Sequence, residues 1–243
     1  MSLEQINEAY IGSGVVYVDG RDVGNCENVN FAIDQETKSQ KNFRGGGGNF
    51  ASRTSISSVK LSMTLLNFSN ANLALALRGK VTVVPAGTIT EETVVAVLGG
   101  LAETAKMIDT TDIAGTVVVK DEAGTTPYVL GTDYQVSAAG LKILSTGSIT
   151  ADEILKVDYA NRATNVLQAL VDSGAEVRVV LDGVNDDSGK PYVLRVHRWK
   201  PTPTSGLSLI SDDYASFPVE GEVLADETVQ GADKSKFFMR EAA

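Results

Sequence analysis

The sequence predicts a mainly β protein, built of antiparallel sheets with one short helix and interrupted by a small inserted β-sandwich. Three observations predict it. Apolar and polar residues alternate in several stretches, one stretch alone has helical spacing, and turn-forming residues punctuate the middle of the chain at short intervals.

Taking the elements in chain order, "GSGVVY" from Gly12 leads into a strand, and "ENVNFAID" sets Val29, Phe31 and Ile33 against Asn28, Asn30 and Ala32. The alternation is clearest from Ser58 to Leu66, where Val59, Leu61, Met63 and Leu65 interleave with Ser58, Lys60, Ser62 and Thr64. Strands with one wet face belong to antiparallel sheets. "NFSNANLALALRG" breaks the rhythm: Ser69 is a candidate N-cap, Phe68 and Leu73 have staple spacing, Leu73 and Leu77 share a face, and Gly79 terminates. Apolar on nearly all sides, this short helix is expected to be buried against a sheet. Between Pro85 and Asn161, short strands alternate with Gly, Thr, Pro and Asp turns, which predicts a small β-sandwich. Alternation resumes in "AEVRVVLDG" and in "YVLRVHRW", where Leu194 and Val196 oppose Arg195 and His197, with Trp199 continuing the His197 face. The first domain is therefore expected to comprise residues 1–87 and 164–243, with 88–163 inserted.

The chain has 243 residues, of which 43% are hydrophobic, enough for a sizeable core and one or two domains. Its formal charge of -10 excludes a general phosphate-gripping surface. The charge is uneven: residues 1–87 hold 8 bases and 7 acids, 88–160 hold 4 and 11, and 161–243 hold 9 and 13. A single cysteine, Cys26, excludes an intrachain disulfide and a cysteine zinc cluster. "MSLEQINEAY" lacks the basic and apolar regions of a secretory signal, and no apolar run approaches the ~20 residues that span a bilayer, so a cytosolic origin without membrane insertion is expected.

Catalytic and ligand motifs fail one by one. A phosphate loop needs Gly-Lys-Ser/Thr at a helix start, and the dinucleotide fingerprint needs a third glycine where "GGGGNF" has Phe50 and "GSGVVY" has Tyr17. His197 is the sole histidine, there is no "GxSxG" elbow, and a wet strand face accounts for it without chemistry. "DGVNDDSGK", from Asp182 to Lys190, lacks EF-hand spacing and reads as a hairpin turn. The pairs Glu91-Glu92 and Asp212-Asp213 put neighbours on opposite strand faces, so they read as solvated charge. No catalytic residue, metal or cofactor is predicted.

That leaves "QETKSQKNFRGGGGNFASR", Gln35 to Arg53, a polar connection longer than compact domains tolerate. Lys38, Lys41, Arg44 and Arg53 outweigh Glu36. Ordering ~15 residues costs roughly 1 to 2 kcal/mol each, which needs burial of on the order of 600 to 1,200 Å² of apolar surface. The segment is thus expected to be disordered alone or docked on a neighbour. Its candidate contact residues are Lys38, Lys41, Phe43, Arg44, Gly45, Gly46, Gly47, Gly48, Phe50 and Arg53.

Taken together, "GSGVVYVDG", "ENVNFAIDQET", the glycine-rich segment, "SVKLSMTLLNFSNANLALALRG" and the later "DYQV", "GLKIL" and "ILKVDY" resemble the tail tube (major tail) proteins of long-tailed bacteriophages. The resemblance runs from Gly12 to about Val196, and "GTDYQV" is typical of an inserted immunoglobulin-like module. It implies a β-sandwich or half-barrel with a flanking helix, assembling into hexameric rings that stack into a tube. It also implies that the segment from Lys38 to Phe50 bridges adjacent rings and that phage DNA slides through the lumen without specific binding. A tape-measure protein and a tail-tip initiator are the implied partners, and the virion tail, assembled in the host cytoplasm, is the implied location. Two competing expectations are a virion-surface or secreted β-sandwich that binds carbohydrate or protein, and a hydrolase using His197.

Overall fold

A computed structural model describes residues 9–243. The start of "MSLEQINEAY", on which the reading of the N-terminus rests, lies outside the described residues. The protein is 51% strand and 5% helix, a mainly β fold with several antiparallel sheets.

The chain divides into two compact units, one formed by the chain up to Val81 with Leu167–Ala243 and the other by Thr82–Val166. The cuts thus fall outside the expected 88 and 163. The first unit opens with β1 (Gly12–Val18), β2 (Arg21–Asp22), β3 (Cys26–Lys41), β4 (Asn49–Leu65) and α1 (Asn70–Leu77), and β5 (Lys80–Val84) runs across the first cut. Next come β6 (Gly87–Val95), β7 (Leu101–Glu103), α2 (Ile113–Thr116), β8 (Val118–Lys120), β9 (Tyr134–Ser137), β10 (Gly140–Ile143) and β11 (Ile154–Asn161). The chain closes with β12 (Thr164–Gln168), β13 (Val177–Asn185), β14 (Lys190–Pro201), β15 (Phe217–Leu224) and β16 (Phe238–Ala242). β5 and β12 pair with each other.

In the core unit the strands run β2-β1-β13-β14-β15-β4-β3, and β16 also pairs with β14. β14 therefore forks: Tyr192 to Val196 pair with β16, and Arg198 to Pro201 pair with β15. The sheet curls, so that Phe31 on β3 stacks on Phe238 of β16 with ring centroids 4.5 Å apart, although the strands are not neighbours. The enclosed core is what the alternation predicts: Val59, Leu61, Met63 and Leu65 of β4 cluster with Phe217, Val219 and Val223 of the adjacent β15 and with Val196 of β14.

Trp199 departs from the expected phase. It is fully buried, because pairing shifts from Val179↔Val196 to Val177↔Trp199, and the extra residue on β14 turns the indole inward. Gly221 lies against it: a Cβ there would come within 2.6 Å of the indole Nε1 and 2.4 Å of the Lys200 carbonyl oxygen.

Helix α1 is capped at Ser69, whose hydroxyl accepts from the Asn72 amide at 3.1 Å. Its end differs from the expectation. Arg78, not Gly79, takes the left-handed conformation (φ 47°), and the Gly79 amide donates to Ala74 O at 2.8 Å, a Schellman closure. The buried face holds Asn72 and Ala76, while the leucines are half-buried. Asn72 is satisfied there: its amide nitrogen donates to Val23 O and Asn67 O, and its carbonyl oxygen accepts from Arg21. Phe68 packs edge-on against Phe217 with centroids 4.9 Å apart.

The inserted unit is a sandwich of two three-stranded sheets, β6-β11-β8 and β7-β10-β9. The second, fifth and fourth strands in one sheet reproduce the B-E-D order of an immunoglobulin domain, and the sixth pairs with the third as F does with C. The first strand takes the edge that strand G fills in that fold. Its core holds Val94, Ile108, Val119, Tyr134, Leu141, Leu155, Val157 and Tyr159. The one-turn helix α2, capped by the Asp112 carboxylate on the Gly115 amide, is a second helix that the sequence reading did not anticipate.

Candidate contact site

The connection expected to be disordered alone or docked on a neighbour forms a hairpin arm. β3 and β4 stay paired from Gln35↔Ile56 through Thr37↔Thr54, Lys38↔Arg53 and Gln40↔Ala51 to Lys41↔Asn49. Only residues 42–48 form a loop. The ladder pairs the facing backbone groups of the two strands, and the Thr37 and Thr54 hydroxyls add a cross-strand hydrogen bond of 2.9 Å, but the apolar burial that ordering calls for is not found here. The segment reads as a loop because neither of its faces is buried, so it carries no apolar period. From Ala32 to Lys41 and from Phe43 to Ser57 every residue is exposed.

Two bulges on β4 set the faces of the arm. Pairing moves from Asp34↔Ser58 to Gln35↔Ile56, leaving Ser57 as the extra residue. Ile56, Thr54 and Ser52 thereby continue the side of β4 that carries Val59 and Leu61. A second shift, between Gln40↔Ala51 and Lys41↔Asn49, leaves Phe50 extra, next to the tip.

The tip has a definite conformation. The Asn42 amide donates to Gly48 O at 3.0 Å, its side-chain nitrogen donates to Gly45 O at 3.0 Å, and its side-chain oxygen accepts from the Arg44 amide at 2.9 Å. Gly45, Gly46, Gly47 and Gly48 all have positive φ, 96°, 90°, 71° and 78°, in open surroundings. Backbone conformation, not lack of space, is what demands glycine at these positions.

Lys38 and Lys41 lie on β3, Phe50 and Arg53 on β4, and Phe43, Arg44 and the glycines at the tip. The arm thus brings all the sequence-predicted contact residues onto one projecting element. Lys38 and Arg53 are direct cross-strand partners, a like-charge pairing that is unfavourable by itself and only partly offset by Glu36, 3.6 Å from Lys38.

The sequence reading missed a second exposed element. Residues 202–216 join β14 to β15 and carry Leu209, Ile210 and Tyr214, all exposed, while Leu207 packs on the core. Asp213 accepts from the Tyr214 amide at 2.7 Å, and the Ser211 hydroxyl donates to Asp213 O at 2.7 Å. A run such as "LSLI" reads as a buried strand end, and sequence holds no signal that it is turned outward.

The remaining candidate positions have local roles. His197 sits half-buried on β14, its main-chain amide donating to Phe237 O at 3.1 Å. Asp182 to Asn185 belong to β13, so the expected turn narrows to residues 186–189, where the Gly189 amide donates to Asn185 O at 2.7 Å. A groove of about 430 Å³ is lined by Gly14, Cys26, Phe31, Tyr192 and Arg240 among others. The Arg240 guanidinium lies 4.8 Å from the Tyr192 ring centroid. Burial and the Tyr10 hydrogen bond push the Tyr192 phenol up to about 12, and burial together with the charge of Asp22 raises the Cys26 thiol. Neither group ionises near neutral pH, so neither offers the groove a base or a thiolate.

No curated protein matches the chain. A family model matches residues 9–241, which cover both units, and the chain belongs to the family that this model describes, Protein of unknown function UCP028589.

Proposed function

We propose that this protein is a non-enzymatic structural subunit that assembles into stacked hexameric rings, forming the tail tube of a long-tailed bacteriophage. The observation that carries this reading is the arm: a hairpin paired from Gln35 to Lys41, with both faces open to solvent and a like-charge pair at its centre. An isolated two-stranded ribbon is marginal in water, so an arm of this length is most stable against a partner. The edge strands β2 and β3 also leave unpaired backbone groups that pairing between subunits would satisfy. In the assembled tail, phage DNA passes through a tube of subunits whose formal charge of -10 each disfavours sticking of phosphate, with a tape-measure protein and a tail-tip initiator as partners. Among the described residues no helix is long and apolar enough to cross a membrane.

Negative-stain electron microscopy across concentration, with light scattering for mass, tests the proposal. Six-membered rings or hollow tubes are expected from the intact chain. Deleting Gly45 to Gly48 is expected to leave a folded monomer, by circular dichroism, that does not polymerise. An intact chain that stays monomeric at every concentration overturns the reading, and so do normal tubes from the deletion.

A further inference from the structure

We propose that the arm of one copy docks on residues 202–216 of a second copy of this chain, a contact that rests on the tube reading above and names the surface the arm meets. Exposure is the first argument. Among the described residues the four most exposed large apolar side chains are Tyr214 (99%), Ile210 (96%), Phe43 (87%) and Leu209 (74%). All four lie in these two excursions, one at the arm tip and three in the 202–216 loop. Exposed apolar side chains gathered at so few places mark a contact surface.

Charge is the second argument. On the arm, Lys38, Lys41, Arg44 and Arg53 stand against Glu36, whereas residues 202–216 hold Asp212 and Asp213 and no base. Asp212 has no hydrogen-bond or ion-pair partner among the described residues. A carboxylate brought beside the facing Lys38 and Arg53 relieves the repulsion that the arm carries alone. The apolar and charged parts are therefore complementary together: aromatic and basic on one side, aliphatic, tyrosine and acidic on the other.

Topology is the third. β15 begins at Phe217, opposite Leu65, so the 202–216 loop sits by the C-terminal end of β4. Pairing with β15 stops at Lys60↔Glu222, and the arm runs on from there past the N-terminal half of β4. Loop and arm thus leave β4 in opposite directions, and ten or so residues of arm reach about 30 Å at ~3.3 Å per residue. Neither covers the other within a chain, but displacement of one copy along the strand direction carries its arm toward the loop of the next. Because arm and loop leave β4 in opposite directions, a copy displaced along the strand engages by one arm and one loop, a head-to-tail contact that propagates into a ring or filament.

Charge reversal in the full chain tests this pairing. Arg44→Asp with Arg53→Asp, and separately Asp212→Lys with Asp213→Lys, alter exposed side chains, and circular dichroism checks that each variant folds. Each variant alone is expected to need about tenfold or more protein to polymerise, the scale of loss when a contact anchor is removed. Mixed together, the two variants are expected to co-assemble, because an acidic arm then meets a basic loop and a basic arm an acidic one. A chain carrying all four changes is expected to recover likewise. Phe43→Cys with Ile210→Cys in a Cys26→Ser background is expected to give chains linked by disulfides on oxidation. If folded reversal variants polymerise like the unmodified chain, or the mixture stays monomeric, the contact is wrong while the tube reading stands. If the unmodified chain never polymerises, the tube reading itself has failed.

Discussion

In the inserted unit acidic side chains turn back onto their own backbone, whereas in the core unit the charged side chains of the arm point away from theirs. Asp133, only 4% exposed, accepts from the Val129 and Ser148 amides, each at 2.7 Å. Asp121 accepts from the amides of Thr125 and Thr126, Glu153 from that of Thr150, and Asp158 from that of Glu91 and from Lys120. These bonds favour the ionised form and hold the carboxyls of Asp121, Asp133, Glu153 and Asp158 below their ordinary range. The acidic middle of the sequence is thus largely a set of turn locks in a unit with many short strands. The arm has the opposite economy: its two strands pair only with each other, and its side chains find few partners in the chain. In the inserted unit these acids are paired by folding alone, whereas the arm of the core unit leaves its side chains open to solvent.

The largest effect expected from a single change is at Trp199, the side chain at the centre of the core unit. Trp199→Ala removes a fully buried indole and is expected to cost about 3 to 5 kcal/mol. Calorimetry should show the core-unit transition falling while that of the inserted unit stays in place. If both transitions fall together, the two units do not fold independently, and the contrast drawn above loses its basis.

A smaller effect, confined to the other unit, sharpens the same contrast. Asp133→Ala removes a buried carboxylate that accepts from the Val129 and Ser148 amides and is expected to cost about 1 to 3 kcal/mol. The pH dependence has a definite sign. Because the folded-state pKa values of these carboxyls are lowered, their contribution is complete above the unfolded values near 4 and is lost as pH falls through the lowered ones. The inserted unit should therefore lose stability below about pH 4, and Asp133→Ala should flatten that loss. Circular dichroism melts from pH 7 to pH 2.5 read both. An Asp133→Ala protein with an unchanged acid slope counts against the turn-lock account.

What the sequence discloses follows the same divide. Val59, Leu61, Met63 and Leu65 are legible because one face of β4 is buried there and the other is wet, and Ser69 because a cap has its own local chemistry. The outer half of the same strand is illegible: from Phe50 to Ser57 both faces are exposed, so strand and loop look alike in composition. The bulge that turns Trp199 inward depends on which residue of β13 lies opposite, a long-range fact that no local window contains. Arg78 in the left-handed cap is hidden because Gly79 beside it is the stronger sequence signal. Charge and glycines singled out the segment that forms the arm, but the exposure of Leu209, Ile210 and Tyr214 could not be found, since an apolar residue turned outward has the same letter as one turned in.

The smallest effect expected on folding falls on the arm. Phe43→Ser with Phe50→Ser alters two exposed side chains that pack on nothing in the core, so the monomer's melting free energy should move by less than about 0.5 kcal/mol. Amides from Gln35 to Lys41 should exchange hydrogen quickly in the monomer, since their ladder has no buried side chain to hold it shut, and slowly once the arm is covered. The two measurements constrain each other. A large loss of stability in the double variant, with slow exchange already in the monomer, would mean the arm is held by its own chain. An unchanged melt with protection gained only on assembly would place those aromatics wholly in the contact between copies. The arm would then be a part whose free energy is realised outside the molecule that encodes it, as its open faces and its Lys38–Arg53 pairing imply.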